Sequence, residues 1–454
     1  MEDVFRYIEE HLPETLAELQ ELCRLPTVSA QGTAIGETAE HVAWLLRSCG
    51  FETQILPKPE GGQPVVYAHQ RGQSSRTLLF YNHYDVQPPE PLELWSSPPF
   101  QPTLVGDKLY GRGVSDNKGN IAARLAAIRA ILAVRGSLPC SLKFCIEGDE
   151  EIGSPHMEAF VEEQRDLLAA DACIWEGGGV TWEGVPQVSL GVKGLLYVEL
   201  EALGASHDAH SSYGTVIPNP AWRLVWALST LKDADENVLI EGFYDAVRPP
   251  TPEERAAVEG MPAEEEETLK AYGLPSFVKG VRGLPYRMRH LFQPTATIDG
   301  LLSGYTGQGP KTVLPARALA KLDFRLVPDQ APDDILEKLK RHLARHGFDD
   351  IEVRSLTGER PARTPIRDPF VAVVGRAVRR VYGVDPIIVP TIAGTGPLYP
   401  FAVTLGLPTA DCGIGYPDAR IHAPDENIRI SDFLLGAKAI AALIERFAAS
   451  QDGS

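Results

Sequence analysis

Short apolar runs alternate with helical segments in the N-terminal part of the chain, and this alternation constrains the fold more than any other feature. Residues 76–86 (RTLLFYNHYDV) are almost continuously apolar until their polar end, as expected for a strand buried on both faces. Residues 120–136 have an amphipathic helical pattern that ends at Gly136, and residues 141–148 and 171–177 are again strand-like. Strands that alternate with helices predict an α/β domain built on a largely parallel sheet.

The pattern changes near Pro186 and changes back near Pro365. Between these points the segments follow the order strand, helix, strand, strand, helix, strand, which is typical of a ferredoxin-like α+β unit. After Pro365 the alternation of helices and apolar strands returns. We therefore predict one α/β domain formed by residues 1–186 and 365–454, interrupted by an inserted α+β domain formed by residues 187–364.

Composition narrows the classes of protein that the chain can belong to. A chain of 454 residues is too long for one ordinary hydrophobic core, which also favours two domains. The formal net charge of −18 argues against nucleic acid or an anionic membrane as a partner, because both require basic patches. The charged N-terminus and the absence of a membrane-length apolar run predict a cytoplasmic protein.

The six cysteines lack CxxC spacing, which favours reduced, buried thiols over a disulfide frame or a zinc knuckle.

Polar residues stand at the ends of the predicted strands or in the loops that follow, where α/β sheets bind ligands. His83 and Asp85 end the first apolar strand, and Asp85 can orient the imidazole of a metal-binding His83. Glycines bracket Asp116 in GRGVSDNKGN, whose spacing matches neither a phosphate-binding nor a dinucleotide-binding loop. A metal ligand is the better interpretation of Asp116, although His83 alone could equally be a surface histidine.

Three further segments offer candidate metal ligands. Glu150 and Glu151 follow a buried strand in EGDEEIGS, so that one can bind metal while the other acts as general base. Glu176 ends the strand IWEGGG, and His422 lies in the loop RIHAPDENIRI. Each is individually compatible with an ordinary surface residue. Together, two histidines and three carboxylates form a mixed nitrogen and oxygen site that suits zinc, manganese or cobalt, and a bridging carboxylate is usual in two-metal hydrolases.

Several blocks of the sequence resemble a known enzyme family, in the same order along the chain. These blocks are NHYDVQP, GRGVSDNKG, EGDEEIGS, DAHSS, KTVLPARALAKLDFRLVP and IHAPDENI. They are similar to metallopeptidase family 20, which includes carnosinases, aminoacylases, succinyl-diaminopimelate desuccinylase and glutamate carboxypeptidase. The carnosinase-like dipeptidases are the most similar branch. The resemblance implies a zinc-peptidase-like catalytic domain, with the inserted ferredoxin-like domain serving as a lid and dimerisation domain.

The resemblance also implies how the metal ligands are divided between two ions. Asp116 would bridge both ions, His83 and Glu176 would complete one site, and Glu151 and His422 would complete the other. The expected cofactor is a pair of divalent ions, with zinc as the first choice and manganese or cobalt as alternatives.

Further roles follow from the same resemblance. Glu150 would be the general base, and Asp85 the partner of His83. The peptide bond between Asp116 and Asn117 would be cis, as it often is in this family.

The inserted domain would supply residues that contact the substrate. His210 in DAHSS would reach the active site of the other subunit in a homodimer. Arg325 in DFRLVP would bind the substrate carboxylate, a role that suits the bidentate geometry of a guanidinium group. Thr312 and Thr395 lie where the family places small hydroxyl contacts to the substrate.

Two departures from the family pattern leave the branch open. Glu176 stands where the carnosinase branch usually has aspartate, and Ala423 and Pro424 follow His422 where a serine is usual. The resemblance as a whole leads us to expect a hydrolase of dipeptides or short peptides with a free carboxylate. An N-acyl amino acid amidohydrolase is the alternative within the family, and a non-catalytic metal-binding protein is the alternative from another class.

Overall fold

The computed structural model describes residues 1–450, apart from the side chain of Glu60. Residues 451–454, the end of the predicted segment 365–454, lie outside the described residues. The α-helices are α1 (Glu2–Glu10), α2 (Leu12–Arg24), α3 (Ile35–Ser48), α4 (Lys118–Arg135), α5 (Met157–Glu163), α6 (Arg165–Leu168), α7 (Pro220–Leu228), α8 (Pro252–Glu259), α9 (Glu265–Tyr272), α10 (Gly283–Phe292), α11 (Pro332–Arg345), α12 (Pro369–Tyr382) and α13 (Ile430–Ala449). The strands are β1 (Glu52–Leu56), β2 (Val65–Gln70), β3 (Thr77–His83), β4 (Thr103–Val105), β5 (Lys108–Tyr110), β6 (Ser141–Glu147), β7 (Ala172–Trp175), β8 (Gly179–Val180), β9 (Pro186–Ser189), β10 (Gly191–Val192), β11 (Gly194–Leu203), β12 (Ala209–His210), β13 (Thr297–Ser303), β14 (Val313–Leu314), β15 (Arg317–Leu326), β16 (Glu352–Glu359), β17 (Ala362–Arg363), β18 (Ile387–Val389), β19 (Thr409–Asp411) and β20 (Asn427–Arg429).

A six-stranded sheet with the order β1-β2-β6-β3-β7-β19 lies at the centre of the α/β part. Strands β6, β3, β7 and β19 are parallel, whereas β1 and β2 are added antiparallel at one edge. Strand β3 lies between β6 and β7 and is buried along almost its whole length, which explains its unbroken apolar sequence. Helices α1, α4, α12 and α13 pack in a shared core on this sheet. The predicted α/β class with a mixed, largely parallel sheet is confirmed.

The parallel strands bring polar residues to one edge of this sheet. Strand β3 ends at His83, which pairs in register with Glu147 at the end of β6. The neighbouring strand β7 ends at Trp175, directly before Glu176. Because parallel strands all end at the same edge, the segments after β3, β6 and β7 meet there.

A second, four-stranded antiparallel sheet has the order β13-β15-β11-β16. Helices α7 and α11 pack against it in a separate core, while β11 alternates buried and half-buried residues, as expected for a sheet with one wet face. The chain order β11, α7, β13, β15, α11, β16 is the predicted ferredoxin-like order. Helices α8, α9 and α10 form an excursion between α7 and β13. Its function as a lid, and the boundaries at residues 187 and 364, stay predictions.

The structure differs from the predicted elements in two places. The sequence of residues 156–168 (HMEAFVEEQRDLL) predicts one helix, but the structure divides this segment into α5 and α6, because the backbone of Gln164 leaves helical geometry with φ −100° and ψ 21°. The alternating pattern of residues 188–204 predicts one long strand, but the structure divides the chain after Pro186 into β9, β10 and β11, which belong to three different sheets. A side chain on Gly191 would place its Cβ 2.7 Å from the carbonyl oxygen of Ala362, so this crossing requires glycine.

The cysteines agree with the expectation from composition. All six cysteines are free and buried, which confirms the predicted thiols. Among residues 1–450, the structure contains no helix with the length and apolar character needed to cross a membrane.

Candidate metal centre

His83 is fully buried at the end of β3, and both of its ring nitrogens have polar neighbours. Its Nδ1 atom lies 3.1 Å from the backbone oxygen of Asp85 and 3.3 Å from the carboxylate of the same residue. The Asp85 carboxylate also accepts the backbone N–H groups of Glu150 and Glu151, at 3.2 and 3.0 Å. Asp85 therefore fixes both the imidazole of His83 and the turn that carries the two glutamates.

Asp116 lies between the two histidines. Its Oδ1 atom is 2.9 Å from Nε2 of His83, and its Oδ2 atom is 3.1 Å from Nε2 of His422. Burial alone would raise the pKa of Asp116, but its contacts with His422 and His83 lower that pKa below its usual range. The peptide bond between Asp116 and Asn117 is cis, as the resemblance implied.

His422 connects Asp116 to Glu151, whose Oε2 atom lies 3.1 Å from Nε2 of the same imidazole. Gln87 donates a hydrogen bond of 2.8 Å to the Glu151 carboxylate and so orients it. Burial would lower the pKa of His422, but Asp116 and Glu151 raise it to about 10.

Glu176 and Glu150 complete the cluster on the side of His83. Oε2 of Glu176 lies 3.6 Å from Nε2 of His83, and Oε2 of Glu150 lies 3.9 Å from that same nitrogen. Burial raises the pKa of Glu176 to about 8, with Asp116 and Glu151 adding to the effect. Burial and the nearby Glu176 raise the pKa of Glu150 well above its usual value.

This donor set fits divalent cations. Oε2 of Glu176 is buried without a hydrogen-bond partner, and four carboxylates share the space around two imidazoles. Ligand atoms of His83, Asp116 and Glu151 all lie within 4.8 Å of one another. Imidazole nitrogens and carboxylate oxygens are ligands of zinc, manganese and cobalt. A cation would compensate the negative charge that, together with burial, raises the pKa values of Glu150 and Glu176.

Glu426 organises the loop that carries Asp116, and sequence reasoning missed it. This buried carboxylate accepts hydrogen bonds of 3.0 Å from the backbone N–H groups of Gly113, Ser115 and Asp116, and it pairs with Arg112 at 2.9 Å. Its position four residues after His422, within the block IHAPDENI, was the only available signal. The loop is thus held by a carboxylate that lies about 310 residues away in sequence.

A second missed residue is Lys58, which lies behind the turn of Glu150 and Glu151. Its ammonium group donates to both Glu147 and Asp149, and all three side chains are buried. Glu147 also accepts hydrogen bonds from Tyr81 and Ser154, at 2.6 and 2.8 Å. This buried cluster of Lys58, Glu147 and Asp149 fixes the segment that connects β6 to Glu150 and Glu151.

The four predicted substrate residues form two pairs in the structure. Arg325 donates a hydrogen bond of 2.7 Å to Oγ1 of Thr395, which joins the inserted domain to the loop near Glu150. His210 is exposed on strand β12, where its Nε2 atom lies 3.4 Å from Oγ1 of Thr312. The contacts of His210 are thus within the inserted domain, whereas Arg325 and Thr395 lie between the two parts of the chain.

The family model described as peptidase family M20/M25/M40 matches residues 79–446. The chain belongs to this peptidase family. The Beta-Ala-His dipeptidase of Rattus norvegicus is 28% identical, over 97% of this chain and 94% of that protein. The Cys-Gly metallodipeptidase DUG1 of Saccharomyces cerevisiae is 27% identical, over 99% and 98% respectively. The crystal structure of the M20 family metallo-carboxypeptidase Sso-CP2 from Sulfolobus solfataricus is similar, with a TM-score of 0.92 and 40% identity over 96% of this chain and 100% of that one. The predicted family and the predicted class of peptidase are confirmed.

Proposed function

We propose that the chain is a metal-dependent peptidase that hydrolyses dipeptides or other short peptides with a free C-terminal carboxylate. The observation that carries this proposal is one unbroken series of contacts from Glu176 through His83, Asp116 and His422 to Glu151, with Glu150 beside it. Relatives that match nearly the whole chain are dipeptidases and a metallo-carboxypeptidase, which supports peptides over N-acyl amino acids as substrates.

In this proposal two divalent ions are the cofactor. Asp116 would be the ligand that both ions share, because its two carboxylate oxygens contact different histidines. His83 and Glu176 would hold one ion, and Glu151 and His422 would hold the other. Zinc is the expected metal, with manganese and cobalt as alternatives that the same ligands accept. When bound, such ions lower the pKa of a water molecule and polarise a carbonyl oxygen.

Glu150 is the general base in the proposed mechanism. It lies within 3.9 Å of His83 but is not needed as a ligand, so it can accept the proton of the attacking water. The same carboxyl group then returns the proton to the leaving amine. Asp85 contributes by holding the backbone of Glu150 and the ring of His83 in fixed positions.

Arg325 and Thr395 are proposed to bind the carboxylate of the substrate. The guanidinium group is about one-third exposed and already contacts Thr395 and Asp323, so it is oriented before any ligand binds. Thr395 lies next to Gly396, where a Cβ would be 3.4 Å from Oε1 of Glu150. The carboxylate anchor and the general base thus lie beside adjacent residues of one loop, as cleavage of the last peptide bond requires.

We further propose a homodimer formed through the inserted domain. Strand β13 is at the edge of its sheet and exposes the apolar side chains of Ile298, Leu301 and Leu302. Trp222 and Trp226 stack on each other on the exposed face of α7, with ring centroids 5.9 Å apart. In such a dimer His210, with Thr312 beside it, would stabilise the oxyanion in the partner subunit. A cytoplasmic location completes the proposal.

Release of free amino acids from a substrate panel tests the proposed function. Purified protein, freed of metal with a chelator and reloaded with zinc, manganese or cobalt, is assayed on dipeptides and on N-acetyl amino acids. We expect metal-dependent hydrolysis of dipeptides and little hydrolysis of N-acetyl amino acids. Faster cleavage of the N-acetyl substrates would favour the amidohydrolase alternative, and activity that persists without metal would contradict the proposal.

Mixed dimers test whether His210 acts in the partner subunit. Glu150→Gln and His210→Ala chains are each expected to be inactive alone, while their metal content stays at the wild-type level. Co-expressed in equal amounts, they should recover about a quarter of wild-type turnover, because half of the dimers are mixed and each mixed dimer has one intact site. If His210 acts within its own chain, the co-expressed mixture stays inactive, and full activity of His210→Ala alone would remove its catalytic role.

A further inference from the structure

A cavity of about 350 Å³ opens beside Arg325, and the proposed catalytic machinery does not use it. It lies between the end of the inserted sheet and the excursion that contains α10. Phe277, Val281 and Tyr286 form its apolar wall, and Lys193, Arg325 and Ala393 face them. A volume near the lower limit of small-molecule sites suits a single side chain better than an extended peptide.

The cavity lies close to the residues that are proposed to act on the scissile bond. Arg325 lines the cavity and donates to Thr395, and Ala393 of the same loop lines the cavity as well. The loop then reaches Gly396, next to Glu150. From residue 393 to residue 396 the chain spans at most about 10 Å, which matches the reach of one amino acid residue from its reacting carbonyl to its side chain.

The walls of the cavity combine apolar and aromatic side chains with positively charged groups. The rings of Phe277 and Tyr286 stack with centroids 4.4 Å apart. Lys193 is buried and donates hydrogen bonds of 2.7 Å to the backbone oxygens of His290 and Gln293, so its ammonium group is already partnered. None of the described residues that line the cavity carries a carboxylate. An aromatic or large aliphatic side chain can therefore be buried there, whereas a cationic side chain meets repulsion from Lys193 and Arg325.

We propose that this cavity is the pocket for the C-terminal side chain of the substrate, and that it selects large apolar or aromatic residues. The proposal rests on the proposed peptidase function and names its substrate class. Arg325 holds the carboxylate of the terminal residue, and the side chain on the same α-carbon enters the pocket beside it. The segment containing Phe277 and Tyr286 thereby determines specificity without touching the metal centre.

The test compares metal-loaded protein on Ala-Phe, Ala-Leu, Ala-Gly, Ala-Glu and Ala-Lys. We expect kcat/KM to be highest for Ala-Phe and Ala-Leu, lower for Ala-Gly and lowest for Ala-Lys. Phe277→Ala should reduce the Ala-Phe to Ala-Gly ratio of kcat/KM by about tenfold or more, mainly through KM, because the apolar contact is lost. Ala393→Leu, which fills the pocket, should reduce the same ratio without opening a cavity.

Leu274→Ala is the matched control, because Leu274 is an exposed apolar residue of the same segment outside the lining of the pocket. The Ala-Phe to Ala-Gly ratio of kcat/KM should be the same in Leu274→Ala as in the wild type. Equal kcat/KM for Ala-Phe and Ala-Gly, or a preference for Ala-Glu or Ala-Lys, would overturn the pocket while leaving the peptidase function intact. If no dipeptide is cleaved, the proposed function fails. In that case, calorimetry tests the proposed pocket separately by measuring the binding of free amino acids. L-Phenylalanine should bind more tightly than glycine, and equal affinities would refute the pocket.

Discussion

Glu150→Gln is expected to abolish most turnover while leaving the metal centre loaded. Glutamine keeps the shape of the side chain and one acceptor oxygen but cannot accept the proton of the attacking water. General bases typically contribute about 10²- to 10⁴-fold to rate, so kcat should fall by an amount within that range. The backbone contact between Glu150 and Asp85 does not depend on the side chain, so the turn should keep its geometry.

Two measurements distinguish loss of the base from loss of a ligand. Elemental analysis should find the same metal content in Glu150→Gln as in the wild type, and KM should change little. In contrast, Glu151→Gln should lower metal content, because Glu151 contacts His422 at the second proposed ion. Near-wild-type turnover of Glu150→Gln would show that another group accepts the proton.

Lys58→Met should cause the largest loss of stability among single substitutions near the site. It removes the only positive partner that the described structure gives to the buried carboxylates of Glu147 and Asp149. Breaking a buried ion pair on one side typically costs about 3–5 kcal/mol, because the remaining charge stays buried without compensation. Burial already raises the pKa of Glu147 to about 7, against the opposing effect of Lys58, so removal of Lys58 should favour the protonated carboxyl group further.

Denaturant unfolding of the metal-free protein measures this effect without a contribution from bound ions. Lys340→Met is the matched control, since Lys340 forms an exposed ion pair with Glu337 and should change stability by less than about 0.5 kcal/mol. The double variant Lys58→Met with Glu147→Gln should regain part of the loss, because one of the two stranded charges is removed. A loss from Lys58→Met no larger than that of Lys340→Met would contradict the proposed role of the buried cluster.

The apolar runs were sufficient to predict the α/β class and the edge at which polar residues meet. Strand β3 is apolar because a hydrophobic core covers each face of its sheet. Leu78 and Phe80 lie in one core, and Leu79 and Tyr81 lie in the other. The polar residues Asn82 and His83 therefore stand at the end of the strand. The five predicted ligands follow from that logic and from the resemblance, and the structure brings all of them into one series of contacts. Their roles as ligands stay predictions until a metal is measured.

Glu426 and Lys58 could not be predicted in the same way. Charged residues are usually exposed, and nothing in the local pattern around either residue indicates burial. Glu426 is buried because its partners are backbone N–H groups of a loop far away in sequence, and Lys58 is buried because it faces two carboxylates. Pairings of this kind depend on the completed fold, as does the division of the long strand at Gly191 and Gly194.

The contact between Asp116 and His422 spans 306 positions of the chain, and this separation matters during synthesis on the ribosome. The N-terminal segment supplies His83, Asp116, Glu151 and Glu176, but His422 and the carboxylate of Glu426 emerge only after the whole inserted domain has been translated. Domains generally fold as units as the chain emerges. A nascent chain that has not yet released its last helix therefore lacks part of the proposed set of metal ligands. Peptidase activity is accordingly expected to begin only once translation is nearly finished.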